Sequence, residues 1–121
     1  MARTESQENY LETILILSQK KPVVRSVDIA AELGFSKPSI SIAIKNLKAQ
    51  GLVTVTQEGF VYLTPAGSQI ANGVYERHRT LTDALVRLGV SEKTAEEDAC
   101  RIEHIISEET FQALKKRLAA I

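Results

Sequence analysis

Two short helical segments followed by a hairpin, between residues 26 and 63, constrain the fold of this chain more than any other feature. Ser26 is a favourable N-cap for a short amphipathic helix, and Gly34 suits the left-handed conformation that ends one. Ser36 caps a second helix with Pro38 in its first turn, where the missing N–H costs nothing. Two helices joined by a short turn that contains glycine predict a helix-turn-helix.

The hydrophobic pattern changes from helical to alternating after Gly51. The two apolar runs are Leu52, Val53 and Val55, then Phe60, Val61 and Leu63. Between them, Gln57-Glu58-Gly59 favours a tight turn, so the segment predicts a two-stranded β-hairpin. A hairpin directly after a helix-turn-helix is a wing, and a helical pattern from about Ser6 to Ser18 adds a first helix. We therefore predict a winged helix-turn-helix domain over residues 1–64.

The second half of the chain has a helical pattern throughout. Thr64-Pro65 is a cap followed by a helix-starting proline, and the apolar period then continues to Gly89. Ser91 and Ser107 each begin a further helix. We predict a mainly α protein in which residues 65–121 form an all-helical domain, with residues 65–89 as a long linker helix.

The second helix of the helix-turn-helix begins with small and basic residues, which suit a helix that enters the major groove of DNA. Serine and lysine contact phosphate, while proline offers an apolar contact to a thymine methyl group. Ile42 either contacts thymine methyl groups as well or belongs to the core. No residue here makes the bidentate arginine or glutamine contact that selects a base most strongly. We therefore expect DNA shape to contribute to specificity. The predicted DNA-binding residues are Ser36, Lys37, Pro38, Ser39, Ser41, Ile42 and Lys45.

Composition excludes some classes of protein. The chain has 121 residues, a formal net charge of zero and one cysteine. Without a signal segment or a long uncharged apolar run, we expect a soluble, cytoplasmic protein that does not contact a membrane. The charges divide into a basic first half and an acidic second half. A basic half suits binding of phosphate, and an acidic half suits binding of cations. Ordinary solvated surfaces are the alternative explanation.

The run from Cys100 to His104 places a thiol, a carboxylate and an imidazole at positions i, i+3 and i+4. On a helix these positions share one face, and S, O and N donors on one face suit a divalent transition metal. A single cysteine has no internal disulfide partner, so its thiol is available as a ligand. The alternative is a buried cysteine beside a solvated Glu-His pair. Cys100, Glu103 and His104 are therefore candidate metal ligands.

Five segments in order cover nearly the whole chain and carry a family resemblance. They are Glu8-Asn9-Tyr10-Leu11-Glu12, Ser36-Lys37-Pro38-Ser39, Leu63-Thr64-Pro65-Ala66-Gly67, Arg77-His78-Arg79 and Ala99-Cys100-Arg101-Ile102-Glu103-His104. In these the chain resembles the metal-dependent repressors of the diphtheria toxin repressor class, especially the manganese transport regulators. The resemblance implies a homodimer that binds Mn(II) or Fe(II), then holds palindromic double-stranded operator DNA and represses metal-uptake genes.

The resemblance also implies a set of metal ligands. These are Cys100, Glu103 and His104 of a principal site, His78 from the linker helix, and Glu12 and Asn9 from the first helix. Asn9 stands where toxin-type repressors have methionine and manganese regulators have aspartate, and its amide offers only a neutral carbonyl oxygen. Thr82 and Glu96 stand where the iron-type ancillary site has a glutamate and a histidine. Cys100 is iron-type and softer than the glutamate of manganese regulators, so both metals remain open.

Other functions fit parts of the pattern. A metal-independent winged-helix repressor that senses an organic ligand would bury Cys100 without using it as a ligand. An enzyme with Cys100 as nucleophile and His104 as base lacks an evident oxyanion site and an orienting third group, so we expect no enzyme. A scaffold protein would leave the basic helix without a purpose. We expect dimerisation through the apolar residues of the last helices, and packing within one chain is the alternative explanation for them. These residues are Ile105, Ile106, Phe111, Leu114 and Leu118.

Overall fold

The computed structural model describes residues 4–120, so Met1, Ala2, Arg3 and Ile121, at the ends of the two predicted domains, lie outside it. The helices of this range are α1 (Glu5–Lys20), α2 (Ser26–Leu33), α3 (Lys37–Ala49), α4 (Pro65–Arg87), α5 (Glu92–Ile102) and α6 (Glu108–Ala119). The strands are β1 (Val53–Val55) and β2 (Val61–Leu63), paired antiparallel. The predicted mainly α architecture with a two-stranded wing is confirmed.

The helix-turn-helix consists of α2 and α3, which pack against each other and against α1. Gly34 has a φ of 71° and ends α2 in the left-handed conformation. Ser36 caps α3, since its Oγ accepts a hydrogen bond of 3.3 Å from the backbone N–H of Ser39. The turn between the helices therefore forms for the reasons that the sequence suggests.

The start of α2 differs from the sequence prediction. The N-cap is Arg25, and Ser26 is the first helical residue. The reason is Asp28, whose Oδ2 accepts a hydrogen bond of 2.9 Å from the backbone N–H of Arg25. The other oxygen, Oδ1, accepts one of 2.9 Å from Nζ of Lys21. These contacts, the backbone hydrogen bond first, lower the pKa of Asp28 below its ordinary value.

The lowered pKa of Asp28 predicts that acid destabilises the winged unit, which contains α1, α2, α3 and the β1–β2 hairpin. A carboxyl with a depressed pKa in the folded state stabilises the protein above its unfolded-state pKa, and that contribution is lost as pH falls through the folded-state value. We expect Asp28→Asn to flatten the fall in melting temperature below about pH 4. Glu32→Gln, at an exposed position of the same helix, is the control and should keep the wild-type profile. Identical acid profiles for D28N and wild type would contradict the assignment.

The wing is a short hairpin attached to the rest of the unit. Val53 pairs with Leu63, and Gly59 in the turn has a φ of 89°. The backbone N–H of Val61 donates a hydrogen bond of 2.8 Å to the carbonyl oxygen of Val24, which ties the hairpin to the segment before α2. The apolar core of this unit contains Leu11, Ile14, Ile29, Ile40, Leu47, Val53 and Val61.

The first turn of α4 lies against the segment before β1. Oγ1 of Thr64 donates a hydrogen bond of 2.7 Å to the carbonyl oxygen of Gly51, and accepts one of 3.1 Å from the backbone N–H of Gly67. A Cβ on Gly67 would overlap the carbonyl oxygen of Leu52 and lie 2.9 Å from its carbonyl carbon. This position therefore requires a residue without a side chain.

The chain divides into two compact units, one that extends to Asn72 and one that begins at Gly73. The division falls inside α4, which ends at Arg87, two residues short of the predicted 89. The second unit comprises the rest of α4, α5 and α6, with Leu81, Ala95, Ala99 and Phe111 buried. No helix in residues 4–120 is both long and apolar enough to cross a membrane.

Candidate metal centre and DNA-binding face

The predicted DNA-binding residues lie on one exposed part of α3 and its cap. All seven are exposed, whereas Ile40, Ile44 and Leu47 of the same helix are buried. Ile42, for which a core position was an alternative, is 63% exposed and so does not belong to the core. The face combines serines and lysines with one large apolar side chain. Such a face can contact phosphates and thymine methyl groups.

A buried carboxylate is the centre of the second unit. The side chain of Glu103 is 0% exposed, and its Oε2 lies 2.8 Å from Nδ1 of His78 on α4. Its Oε1 lies 3.4 Å from Nε2 of His104. Glu103 therefore has an imidazole next to each of its oxygens, and the structure brings together three of the predicted metal ligands.

The buried oxygen Oε1 of Glu103 has no hydrogen-bond partner among the described residues. The 3.4 Å approach of His104 does not have the geometry of a hydrogen bond. An ionised carboxylate without full pairing is costly in the interior, because it has lost its hydration. A cation removes that cost. One carboxylate and two imidazoles are donors that Mn(II) and Fe(II) both accept, so the residues present fit a divalent transition metal.

Cys100 and Glu103 are one turn apart, but their side chains differ in exposure. Glu103 is the C-cap of α5, with φ −57° and ψ −23°, and its N–H donates to the carbonyl oxygen of Ala99. His104 lies beyond the helix, in the turn that leads to α6. Cys100 is exposed, whereas Glu103 is buried. Because α5 ends before His104, only Cys100 of these three residues lies within the helix itself.

The remaining residues of the implied ligand set lie on α1 in the first unit. Glu12 is buried and Asn9 is half-buried. Thr82, at an iron-type ancillary position, lies on α4 four residues after His78, and its hydroxyl is buried without a hydrogen-bond partner among residues 4–120. Glu96, at the other such position, is exposed on α5. Their ligand roles stay predictions.

Arg77 is a residue of this region to which the sequence alone assigned no role. Its Nη1 donates to the backbone carbonyl oxygens of Glu103, at 3.3 Å, and Ile106, at 2.8 Å. Its Nη2 donates to Oε2 of Glu108 at 2.8 Å. These partners are 26 to 31 residues further along the chain, so no local pattern could have indicated them.

Two family models match the chain. The model of the N-terminal DNA-binding domain of the iron-dependent repressors matches residues 3–60, and the model of their metal-binding and dimerisation domain matches residues 64–121. The chain belongs to the iron-dependent repressor family. It therefore has a DNA-binding domain followed by a metal-binding and dimerisation domain, as the resemblance implied. The expectation of a repressor rather than an enzyme is confirmed by this membership.

Individual relatives agree with the family assignment. The chain is 37% identical over 113 residues to the transcriptional regulator MntR of Escherichia coli, which covers 93% of this chain and 73% of the relative. It is 31% identical to the diphtheria toxin repressor of Corynebacterium diphtheriae, covering 94% of this chain and 51% of the relative. The crystal structure of T. acidophilum IdeR superposes with a TM-score of 0.83 and 30% identity, over 98% of this chain and 55% of that one. The chain thus spans about half the length of several iron-dependent repressors that it matches.

Proposed function

We propose that this protein is a metal-activated transcriptional repressor that binds a palindromic operator as a homodimer when Mn(II) or Fe(II) is abundant, and so controls metal-uptake genes. The observation that carries the proposal is the buried Glu103 carboxylate beside two imidazoles, in a chain whose α3 exposes a serine- and lysine-rich face. Because a repressor acts on chromosomal DNA, we place the protein in the cytoplasm.

The metal site that we propose is centred on Glu103. His78 comes from α4 and Glu103 from the end of α5, so the site joins two elements of the second unit. When bound, a divalent cation supplies the positive charge that the buried carboxylate lacks. Cys100 is a further proposed ligand from α5, and Glu12 and Asn9 are proposed ligands from α1.

Activation by metal requires that metal affinity and operator affinity be linked. If metal strengthens operator binding by some factor, operator DNA strengthens metal binding by the same factor.

Dimerisation is supported by large apolar side chains that are exposed to solvent in the single chain, Leu88 at 81% and Ile105 at 76% exposure. Phe111, in contrast, is 4% exposed and belongs to the packing within one chain.

A mobility-shift titration over a promoter library tests the proposal. We expect a retarded complex with added Mn(II) or Fe(II) and its loss on addition of a chelator. Binding that the chelator leaves unchanged would identify a metal-independent repressor and overturn the metal switch. Sedimentation at micromolar protein should show a dimer, and a monomer there would contradict binding to a palindrome.

Lys45 gives a prediction for the DNA-binding face. The side chain is exposed on α3, and we propose that it neutralises one phosphate. Lys45→Ala should weaken operator binding at every sequence tested and reduce the slope of log K against log salt by about one. Lys93→Ala, which removes an exposed lysine on α5, is the control and should leave the slope unchanged. An unchanged slope for K45A would remove Lys45 from the interface.

A further inference from the structure

The Arg77 guanidinium holds the turn between α5 and α6 at two points of its backbone. Nη1 donates to the carbonyl oxygens of Glu103 and Ile106, while Nη2 donates to the carboxylate of Glu108, the first residue of α6. The guanidinium carbon also lies 5.3 Å from the ring centroid of the buried Phe111. One side chain of α4 therefore fixes both ends of the segment that carries Glu103 and His104.

The end of α5 needs such donors. The last carbonyl groups of a helix have no partner within the helix, and a side chain can satisfy them. A guanidinium is suited to the task because its planar array of N–H groups can donate to several oxygens at once. The ammonium of a lysine is a point charge on a flexible chain and holds a turn less rigidly.

Arg77 and His78 are neighbours on α4 and reach different parts of the same residue. Arg77 donates to the main-chain oxygen of Glu103, and His78 contacts its carboxylate at 2.8 Å. Main chain and side chain of Glu103 are thus each held from α4. Removal of Arg77 leaves the His78 contact available but frees the turn behind it.

We propose that Arg77 is a positioning residue for the metal centre, which presents Glu103 and His104 to the ion by fixing the backbone of the turn between α5 and α6. The inference rests on the proposed function, because it presupposes that Glu103 and His104 bind metal. Groups that orient ligands without touching the metal set its affinity, since a ligand that must first be ordered binds more weakly. Arg77 acts here through hydrogen bonds to carbonyl groups.

The test is Arg77→Met in the whole chain, with Mn(II) affinity measured without DNA by competition against a fluorescent chelator. We expect affinity to fall by about 10- to 100-fold, the range for loss of an outer contact of a metal site. Arg79→Met is the matched control, because Arg79 is exposed on the same helix and its guanidinium lies 5.8 Å from the ring centroid of Tyr75. R79M should bind Mn(II) like wild type.

Two further measurements separate positioning from general stabilisation. A purely structural role would lower the melting temperature of R77M but leave the Mn(II) affinity of the folded protein and the visible spectrum of its Co(II) complex unchanged, and that result would overturn the proposal. Arg77→Lys retains a positive charge and carries the test if R77M does not fold. We expect R77K to bind more weakly than wild type, and wild-type affinity for R77K would also overturn the proposal. Failure of wild type itself to bind either Mn(II) or Fe(II) would instead refute the proposed function.

Discussion

Replacing Glu103 with glutamine is expected to abolish activation of operator binding by metal while leaving the metal-free protein folded. Coupling between two ligands typically amounts to a factor of about 5 to 150, and for E103Q we expect a factor of about 1. Glutamine has nearly the same shape as glutamate and retains one carbonyl oxygen, but it lacks the negative charge that attracts the cation most strongly at this site. The effect should therefore be electrostatic.

Stability of the metal-free protein distinguishes this explanation from damage to the fold. Glu103 is fully buried, one of its oxygens has no hydrogen bond among the described residues, and glutamine can keep the contact of the other oxygen position with Nδ1 of His78. A neutral amide at this position avoids the cost of a buried charge. We expect the melting temperature of metal-free E103Q to equal or exceed that of wild type.

Mobility shifts with and without Mn(II), at matched protein concentrations, measure the activation factor. Glu97→Gln is the control, since it makes the same chemical change at an exposed position of α5. E97Q should be activated as wild type is. Full activation of E103Q would show that the buried carboxylate is not part of the switch.

Replacing Gly67 with alanine is expected to destabilise the winged unit by about 3 kcal/mol, although alanine is the better helix former. Helix propensity favours alanine over glycine by about 1 kcal/mol. Against this, the new Cβ would overlap the carbonyl oxygen of Leu52 and lie 2.9 Å from its carbonyl carbon. Those atoms are backbone, so they cannot move aside as the end of a flexible side chain can. The overlap therefore outweighs the propensity.

The same helix provides a control with the opposite sign. A Cβ on Gly73 would meet no atom within 4 Å, and Gly73 has no positive φ. Gly73→Ala should therefore stabilise the protein by up to about 1 kcal/mol. Urea unfolding followed by circular dichroism measures both variants. If G67A is as stable as G73A, the close approach of α4 to Leu52 is wrong.

The elements predicted well are those specified by neighbouring residues. Ser36 and Ser107 cap α3 and α6 through bonds to backbone groups three residues on, and such short-range pairs can be read directly from the chain. The start of α2 was predicted one residue late because the side chain of Asp28 reaches back to Arg25. That contact is also local, and an acid three residues after the cap could have suggested it.

The site was predicted only as far as its residue types allow. Glu103 and His104 could be identified as candidates from their chemistry and spacing, but the 2.8 Å contact with His78 depends on how α4 packs in the second unit. The exposure of Cys100 likewise depends on how α5 packs in the second unit. Arg77 contacts residues 26 to 31 positions further along the chain, and Gly67 approaches Leu52 on the other side of the hairpin. Periodicity carries no information about such contacts.

The continuity of α4 across the division at Asn72 and Gly73 has a consequence for degradation. Proteases cut chains that can adopt an extended conformation in their active sites, so they prefer exposed loops to hydrogen-bonded helices. Between these two units a protease meets a helix, and cleavage there requires that a turn first melts. The junction of the two units is thus protected from nicking by its own backbone hydrogen bonds.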